Sequence, residues 1–218
     1  MRFIGLALIT FLFYVNVAAQ DESKWQDIVD DLILQEVKEV ENSEGLIVLT
    51  GSSSARMWKN FGEVFPTYTT VNNGFGGSQM YELLFHLDEL VINYKPDKVL
   101  IYEGDNDISA GKSVEEIMKT TARVVDQIRS KLPNAEIYLI SPKPSLARWE
   151  LSEKYVDLNE ELRGYSDEND GLEYIDVWYP MLNEGGMPME DIFIEDGLHM
   201  NEKGYEIWKN VVKERVNH

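Results

Sequence analysis

Leu46-Ile47-Val48-Leu49-Thr50-Gly51-Ser52-Ser53-Ser54 is the stretch whose reading sets the fold. Leu46 to Thr50 is a short apolar and β-branched run, best read as a strand buried on both faces. Gly51 then allows a tight turn, and the serines stand where a helix N-terminus should begin. Serines there cap a helix. A hydroxyl there also sits at the sheet edge, beside the positive end of the helix dipole. Both readings stand at this point.

Working outward, strand and helix patterns alternate. Ser23 to Val40 carries Trp25, Ile28, Val29, Leu32, Ile33 and Val37 on one helical face. That helix can pack on its own core or on a partner, so oligomeric state stays open. Thr69 to Asn72 reads as a second strand, and Gln79 to Tyr94 as a helix that stops before Pro96. Lys98 to Tyr102 is a third strand. Ser113-Val114-Glu115-Glu116 is a capping box that opens a helix to about Lys131. Glu136 to Ile140 is the fourth strand, Leu151 to Tyr165 a helix, Leu172 to Val177 the fifth strand, and Asn201 to Val216 the closing helix. Such alternation predicts the α/β class, with a mostly parallel five-stranded sheet between two helical layers. In such folds the functional groups gather after the carboxyl ends of the strands.

The first residues have a different character. Met1-Arg2 is a short positive start, Phe3 to Val15 is almost wholly apolar, and Val17-Ala18-Ala19 fits a secretory cleavage site. The expectation is a signal peptide over 1–19, cut after Ala19, and one domain over 20–218, secreted or periplasmic. The remaining stretches are too short or too polar to span a bilayer. Removing the leader's single Arg takes the net charge from −19 to −20. A surface so acidic repels nucleic acid and anionic head groups, and favours a neutral or cationic substrate. The chain has no cysteine, so thiol chemistry and thiolate metal sites are excluded. No cofactor and no metal are expected.

The loops after the strands carry polar groups suited to chemistry. Asn72-Asn73-Gly74-Phe75-Gly76-Gly77-Ser78 follows the second strand, and so many glycines suit either a flexible turn or a backbone N–H offered to an oxyanion. It is not followed by the Gly-Lys-Ser/Thr of a phosphate loop. Glu103-Gly104-Asp105-Asn106-Asp107 follows the third strand. Its Asn can donate a side-chain N–H or make a turn, and its acids lack the matching ligands a cation would need. Near the C-terminus stands Asp196-Gly197-Leu198-His199. There are three histidines: His218 is terminal, and His86 sits in an amphipathic helical turn. His199 is therefore the candidate general base, with Asp196 placed to orient it.

Taken together, these blocks resemble those of the SGNH hydrolases, also called the GDSL esterase/lipase family, over about Leu46 to Val216. The Gly-Ser-Ser-Ser at 51–54 looks like the branch in which a serine replaces the aspartate of Gly-Asp-Ser. The resemblance implies a flavodoxin-like three-layer α/β/α sandwich. It also implies Ser53 as nucleophile, Asp196 and His199 as its partners, and an oxyanion hole from Ser53, Gly77 and Asn106. Ser141 to Trp149 looks like the same branch and should border the site, with Trp58, Arg148 and Trp149 as candidate substrate contacts. The tryptophans suit gap-filling between loops equally well. An α/β-hydrolase is disfavoured, since Ala55 replaces the last glycine of Gly-x-Ser-x-Gly and the acid lies three residues from the base.

The expected activity is hydrolysis of short acyl esters, acetyl above all, through an acyl-enzyme, with carbohydrate esters among the substrates. A short-chain phospholipid or platelet-activating-factor-like substrate is the alternative. From another class, the rival is an inactive glycan-binding module. The expected partners are a small-molecule or glycan ester, with no nucleic acid and no stable membrane insertion after leader cleavage.

Overall fold

Strands β1 (Leu46–Gly51), β2 (Thr69–Gly74), β3 (Lys98–Tyr102), β4 (Glu136–Ile140) and β5 (Leu172–Ile175) lie side by side in the order β2-β1-β3-β4-β5. Every neighbouring pair is parallel, with Val48 opposite both Val71 and Val99, and Val99 opposite Ile137. This is a computed structural model that describes residues 22–35 and 37–217. The leader expected over 1–19, and the cut after Ala19, lie outside the described residues.

Side-chain alternation along the strands divides the core in two. Val48, Val99, Ile101, Ile137 and Leu139 face one helical layer. That layer holds α4 (Met80–Phe85), α5 (Leu87–Leu90), the short α6 (Asp105–Ser109), α7 (Val114–Lys131) and α8 (Ser152–Asp167). Ile47, Leu49, Leu100, Tyr102, Tyr138 and Ile140 face the other, formed by α2 (Ser53–Arg56), α3 (Phe61–Val64) and α9 (Glu202–Val216). These strand residues are at most 2% exposed. Each large apolar side chain buried in this way contributes on the order of 1.5–3 kcal/mol. The result is a three-layer α/β/α sandwich.

Local chemistry sets the helix ends. The capping box before α7 is present: the Ser113 hydroxyl accepts from the Glu116 N–H at 3.2 Å, and Glu116 accepts from the Ser113 N–H at 2.9 Å. Asn201 caps α9 by accepting from the Lys203 and Gly204 N–H groups.

Three elements depart from the sequence expectation. The helix expected over Ser23–Val40 is a 3₁₀ turn, Glu22–Trp25, followed by α1 (Gln26–Ile33). Beyond it the chain must reach the start of the sheet, where the Val40 N–H donates to Thr69. The short helix packs on α5 of its own chain, with Val29 buried and Ile28 and Ile33 on the outside. The helix expected over Gln79–Tyr94 is interrupted at His86, which separates α4 from α5, and ends in a 3₁₀ turn at Ile92–Tyr94. The fifth strand ends at Ile175 rather than Val177, because Asp176 folds back to accept from the Trp178 and Tyr179 N–H groups.

The strand order reverses between β1 and its two neighbours: the chain goes from β1 outward to β2, then crosses to β3 on the other side. A crevice opens at such a switch point, outside the carboxyl ends of the strands. The loops after β1, β2 and β3 all meet there.

Candidate active site

Gly51 ends β1 with φ +122°, a backbone that favours glycine. A side chain there would also fall 2.0 Å from the Tyr102 carbonyl oxygen. The chain turns at once into α2, whose first residue is Ser53. Its neighbours Ser52 and Ser54 are 1% and 2% exposed, whereas Ser53 stays partly open. Of the three serines, Ser53 is the one whose hydroxyl lies 2.9 Å from His199 Nε2.

His199 comes from the loop before α9. Its Nδ1 lies 2.6 Å from Asp196 Oδ2. The other Asp196 oxygen accepts from the Leu198 and His199 N–H groups at 2.8 and 2.9 Å. One carboxylate thus folds the loop and holds the ring. Burial is the largest single influence and opposes its ionisation, but the bonds from the ring and the two amides together prevail and hold the carboxyl down at about 2. Asp196, His199 and Ser53 form one continuous chain of contacts.

The other two residues expected at the site, Gly77 and Asn106, come from the loops after β2 and β3. An atom placed at the Cβ position of Gly77 would lie 3.8 Å from Asn106 Nδ2. Asn106 Nδ2 donates to the Ser78 carbonyl at 2.9 Å, and Asn106 Oδ1 accepts from Arg148 at 3.1 Å. Of the five residues expected at the site, Asp196, His199 and Ser53 are joined in one line and Gly77 and Asn106 lie beside each other, all beyond the carboxyl ends of strands.

Beneath them lies a buried polar network that the sequence did not disclose. Asp105, 4% exposed, accepts from Arg148 at 2.6 Å, from the Tyr155 hydroxyl at 2.5 Å and from the Tyr102 hydroxyl at 3.0 Å. Burial opposes its charge, but Lys143 and Arg148 overcome this and keep its pKa below the ordinary value. Lys143 is fully buried, 3.9 Å from Asp105, and donates to the Leu198 carbonyl at 2.6 Å. Burial pushes its pKa down, against the pull of Asp105. Glu103 is 2% exposed and lies 2.5 Å from the Ser78 hydroxyl. Burial first, and then the nearby Asp107, raise it well above the ordinary carboxyl value. Asp107 accepts from the Met80 N–H and from Lys112. The weak signal for this network was a lysine between two prolines, Pro142-Lys143-Pro144, directly after a strand.

The segment 141–149 does border the site. Its Ala147 N–H donates to the Gly197 carbonyl, and Lys143 holds the next carbonyl along the same loop. The three substrate contacts expected from the sequence stand differently. Trp58 is 2% exposed, its ring stacked on Tyr205 and edge-on to Phe61 and Trp208. That is a correction to the expected stacking face: the ring is packed into the core, and the little of it left open lines the groove beside α2. Trp149 is half-buried with one face stacked on Trp178. Arg148 spends its guanidinium on Asp105 and Asn106. An open groove of about 690 Å³ runs beside α2 and the start of α9, lined by Met57, Lys59, Ile194, Met200 and Tyr205 among others.

A serine, histidine and aspartate linked in series at the carboxyl edge of a parallel sheet define a hydrolase-type site. Residues 43–207 match the model of the GDSL-like lipase/acylhydrolase family. The chain belongs to that family. Among solved structures, it is similar to a candidate platelet activating factor from Streptococcus pneumonia, with 24% identity, TM-score 0.76, and coverage of 89% of this chain and 92% of that one. A GDSL-like lipase from Bacteroides thetaiotaomicron gives 19%, 0.74, 90% and 98%. An acetylxylan esterase from Geobacillus stearothermophilus gives 16%, 0.67, 81% and 96%. At these identities the likeness shows the fold. One curated relative, an N-acylneuraminate cytidylyltransferase of Escherichia coli, is 27% identical over 152 residues. That match takes in 67% of this chain and only 35% of the relative, so the chain spans about a third of the relative's length.

Proposed function

We propose that this chain is an exported serine esterase that removes short acyl groups, acetyl above all, from neutral substrates such as acetylated glycans. The observation that carries the reading is the unbroken line from Asp196 to His199 to Ser53, at 2.6 and 2.9 Å. In this mechanism Ser53 Oγ attacks the ester carbonyl while His199 Nε2 takes its proton. The tetrahedral oxyanion is held by the N–H groups of Ser53 and Gly77 and the amide of Asn106. His199 then gives its proton to the leaving alcohol, and water repeats the sequence to free the acid. Asp196 keeps the proton of the neutral ring on Nδ1, so that Nε2 is the acceptor, and steadies the imidazolium.

Several features support the substrate class. The net charge of −19 disfavours polyanions. The similar acetylxylan esterase acts on an acetylated glycan by its name. The likeness to a candidate platelet activating factor keeps a short-chain phospholipid ester as the second reading. Export rests on the leader pattern of residues 1–19.

The test is hydrolysis of p-nitrophenyl acetate and p-nitrophenyl octanoate by the protein from Gln20 onward, beside Ser53→Ala, with acetate release from acetylated xylo-oligosaccharides as the natural-class assay. The reading expects acetate to be cleaved faster than octanoate, with activity lost in the variant. Faster octanoate cleavage would overturn the short-acyl preference, and full activity in Ser53→Ala would overturn the nucleophile.

A further inference from the structure

We propose that Arg148, held by the buried carboxylate of Asp105, is a positioning residue that fixes which end of the Asn106 amide faces the substrate. The inference rests on the reading of Asn106 as an oxyanion donor.

A side-chain amide has one end that stabilises an oxyanion and one that repels it. Rotation by half a turn exchanges them with little change in shape, so a donor of this kind needs something that distinguishes O from N. Two contacts do so here. Asn106 Nδ2 donates to the Ser78 carbonyl at 2.9 Å, and Arg148 Nη2 donates to Asn106 Oδ1 at 3.1 Å. In the flipped amide, Oδ1 would face a carbonyl oxygen and Nδ2 would face a guanidinium, so both contacts turn repulsive together. In the observed orientation one N–H of Nδ2 is engaged by Ser78. The other N–H is the one assigned to the oxyanion; the same nitrogen lies 3.8 Å from where a Cβ on Gly77 would stand.

Arg148 can hold Asn106 only if it is itself fixed. Its Nη1 donates to Asp105 Oδ1 at 2.6 Å and to the Asp105 carbonyl at 3.2 Å, and its side chain is 18% exposed. Asp105 is in turn braced by Tyr102 and Tyr155. A planar fork is needed to serve a carboxylate and an amide oxygen at once, which a lysine ammonium does not reproduce. Lys143, on the other side of Asp105, holds the Leu198 carbonyl just before His199. The oxyanion donor and the base are thus braced from one buried centre.

The test is a double-mutant cycle on p-nitrophenyl acetate with Arg148→Ala, Asn106→Ala and the double variant, with KM and Tm measured for each. Arg148→Lys is a gentler second probe. The expected result is that Arg148→Ala lowers kcat by up to ~100-fold with KM little changed, the scale of a small misplacement at a reacting centre. In the Asn106→Ala background the same change should cost little more, since there is no amide left to orient. Arg148→Lys should fall between wild type and Arg148→Ala. An equal loss in both backgrounds would overturn the inference, because Arg148 would then act on the substrate or on the fold. So would a rise in KM with kcat intact, or no loss at all. Full activity in Asn106→Ala alone marks the separate failure of the oxyanion reading, and the inference falls with it.

Discussion

Two histidines in this molecule make the same first contact and differ in everything else. His86 Nδ1 lies 3.0 Å from Glu89, three residues onward, and His199 Nδ1 lies 2.6 Å from Asp196, three residues back. By the carboxylate-histidine criterion alone they are equivalent. However, His86 is fully buried between α4 and α5, with aromatic edges from Phe75 and Phe85 around it, and its Nε2 meets no hydrogen-bond partner among the described residues. His199 stays open to solvent at 23% and presents Nε2 to Ser53. A carboxylate three residues away orients an imidazole. It becomes chemistry only when the second nitrogen reaches a nucleophile in a space that substrate can enter.

The comparison breaks most sharply if the two rings are exchanged in importance. Ser53→Ala or His199→Ala should lower kcat on p-nitrophenyl acetate by ~10⁶-fold, by analogy with other serine hydrolases. His86→Leu should leave kcat essentially unchanged and lower Tm instead, by about 2–4 °C per kcal/mol lost in a chain of this size. Steady-state kinetics and thermal melts on the same preparations separate the two, and a large kcat loss in His86→Leu would undo the distinction. Next come the carboxylates. Asp196→Asn should cost ~10⁴-fold in kcat, because the amide favours the wrong tautomer, whereas Glu89→Gln should leave the rate alone. Since the Asp196 carboxyl is held at about 2, its charge should persist through any pH at which the enzyme is assayed. Activity lost on acidification should therefore be no steeper than one titrating group requires.

A smaller effect is expected from the oxyanion side. Asn106→Ala should reduce kcat by ~10²–10³-fold with KM little altered. The smallest concerns Glu103, the opposite of Asp196 in environment: buried, crowded by other acids and raised well above the ordinary value. An acid with a raised folded pKa contributes stability that is full below its unfolded value, about 4.3, and fades as pH rises toward the folded one. Wild type should therefore lose stability relative to Glu103→Gln as pH climbs from 4 to 9, by at most ~1.4 kcal/mol per pH unit, with Tm falling in step. Melts of both proteins across that range check this, and a flat difference would show that Glu103 is already ionised.

The strands and the site were legible for different reasons. Runs such as Leu46 to Thr50 or Lys98 to Tyr102 announce buried parallel strands by composition alone, and the structure has them with little change of bounds. The one-after-another placement of polar loops behind those strands pointed to the sheet edge where Ser53, His199 and Asp196 meet. Helix lengths were less legible. Val37 continued an apolar face by spacing, but the chain had already turned toward the sheet, because tertiary hydrogen bonds such as Val40 to Thr69 outweigh local periodicity. The least legible part was the network under the site. Charged residues such as Lys143 and Asp105 are rarely buried, and nothing in sequence spacing pairs residues separated by nearly forty positions. Trp58 misled for a related reason, since a tryptophan close to a nucleophile looks the same in sequence whether it stacks on substrate or on Tyr205.

The most direct test of the central claim is to inactivate the protein with a fluorophosphonate and locate the adduct by peptide mass spectrometry. A single adduct on Ser53 is expected, lost in Ser53→Ala and greatly slowed in His199→Ala. An adduct on Ser52 or Ser54, or labelling that ignores the His199 substitution, would contradict it.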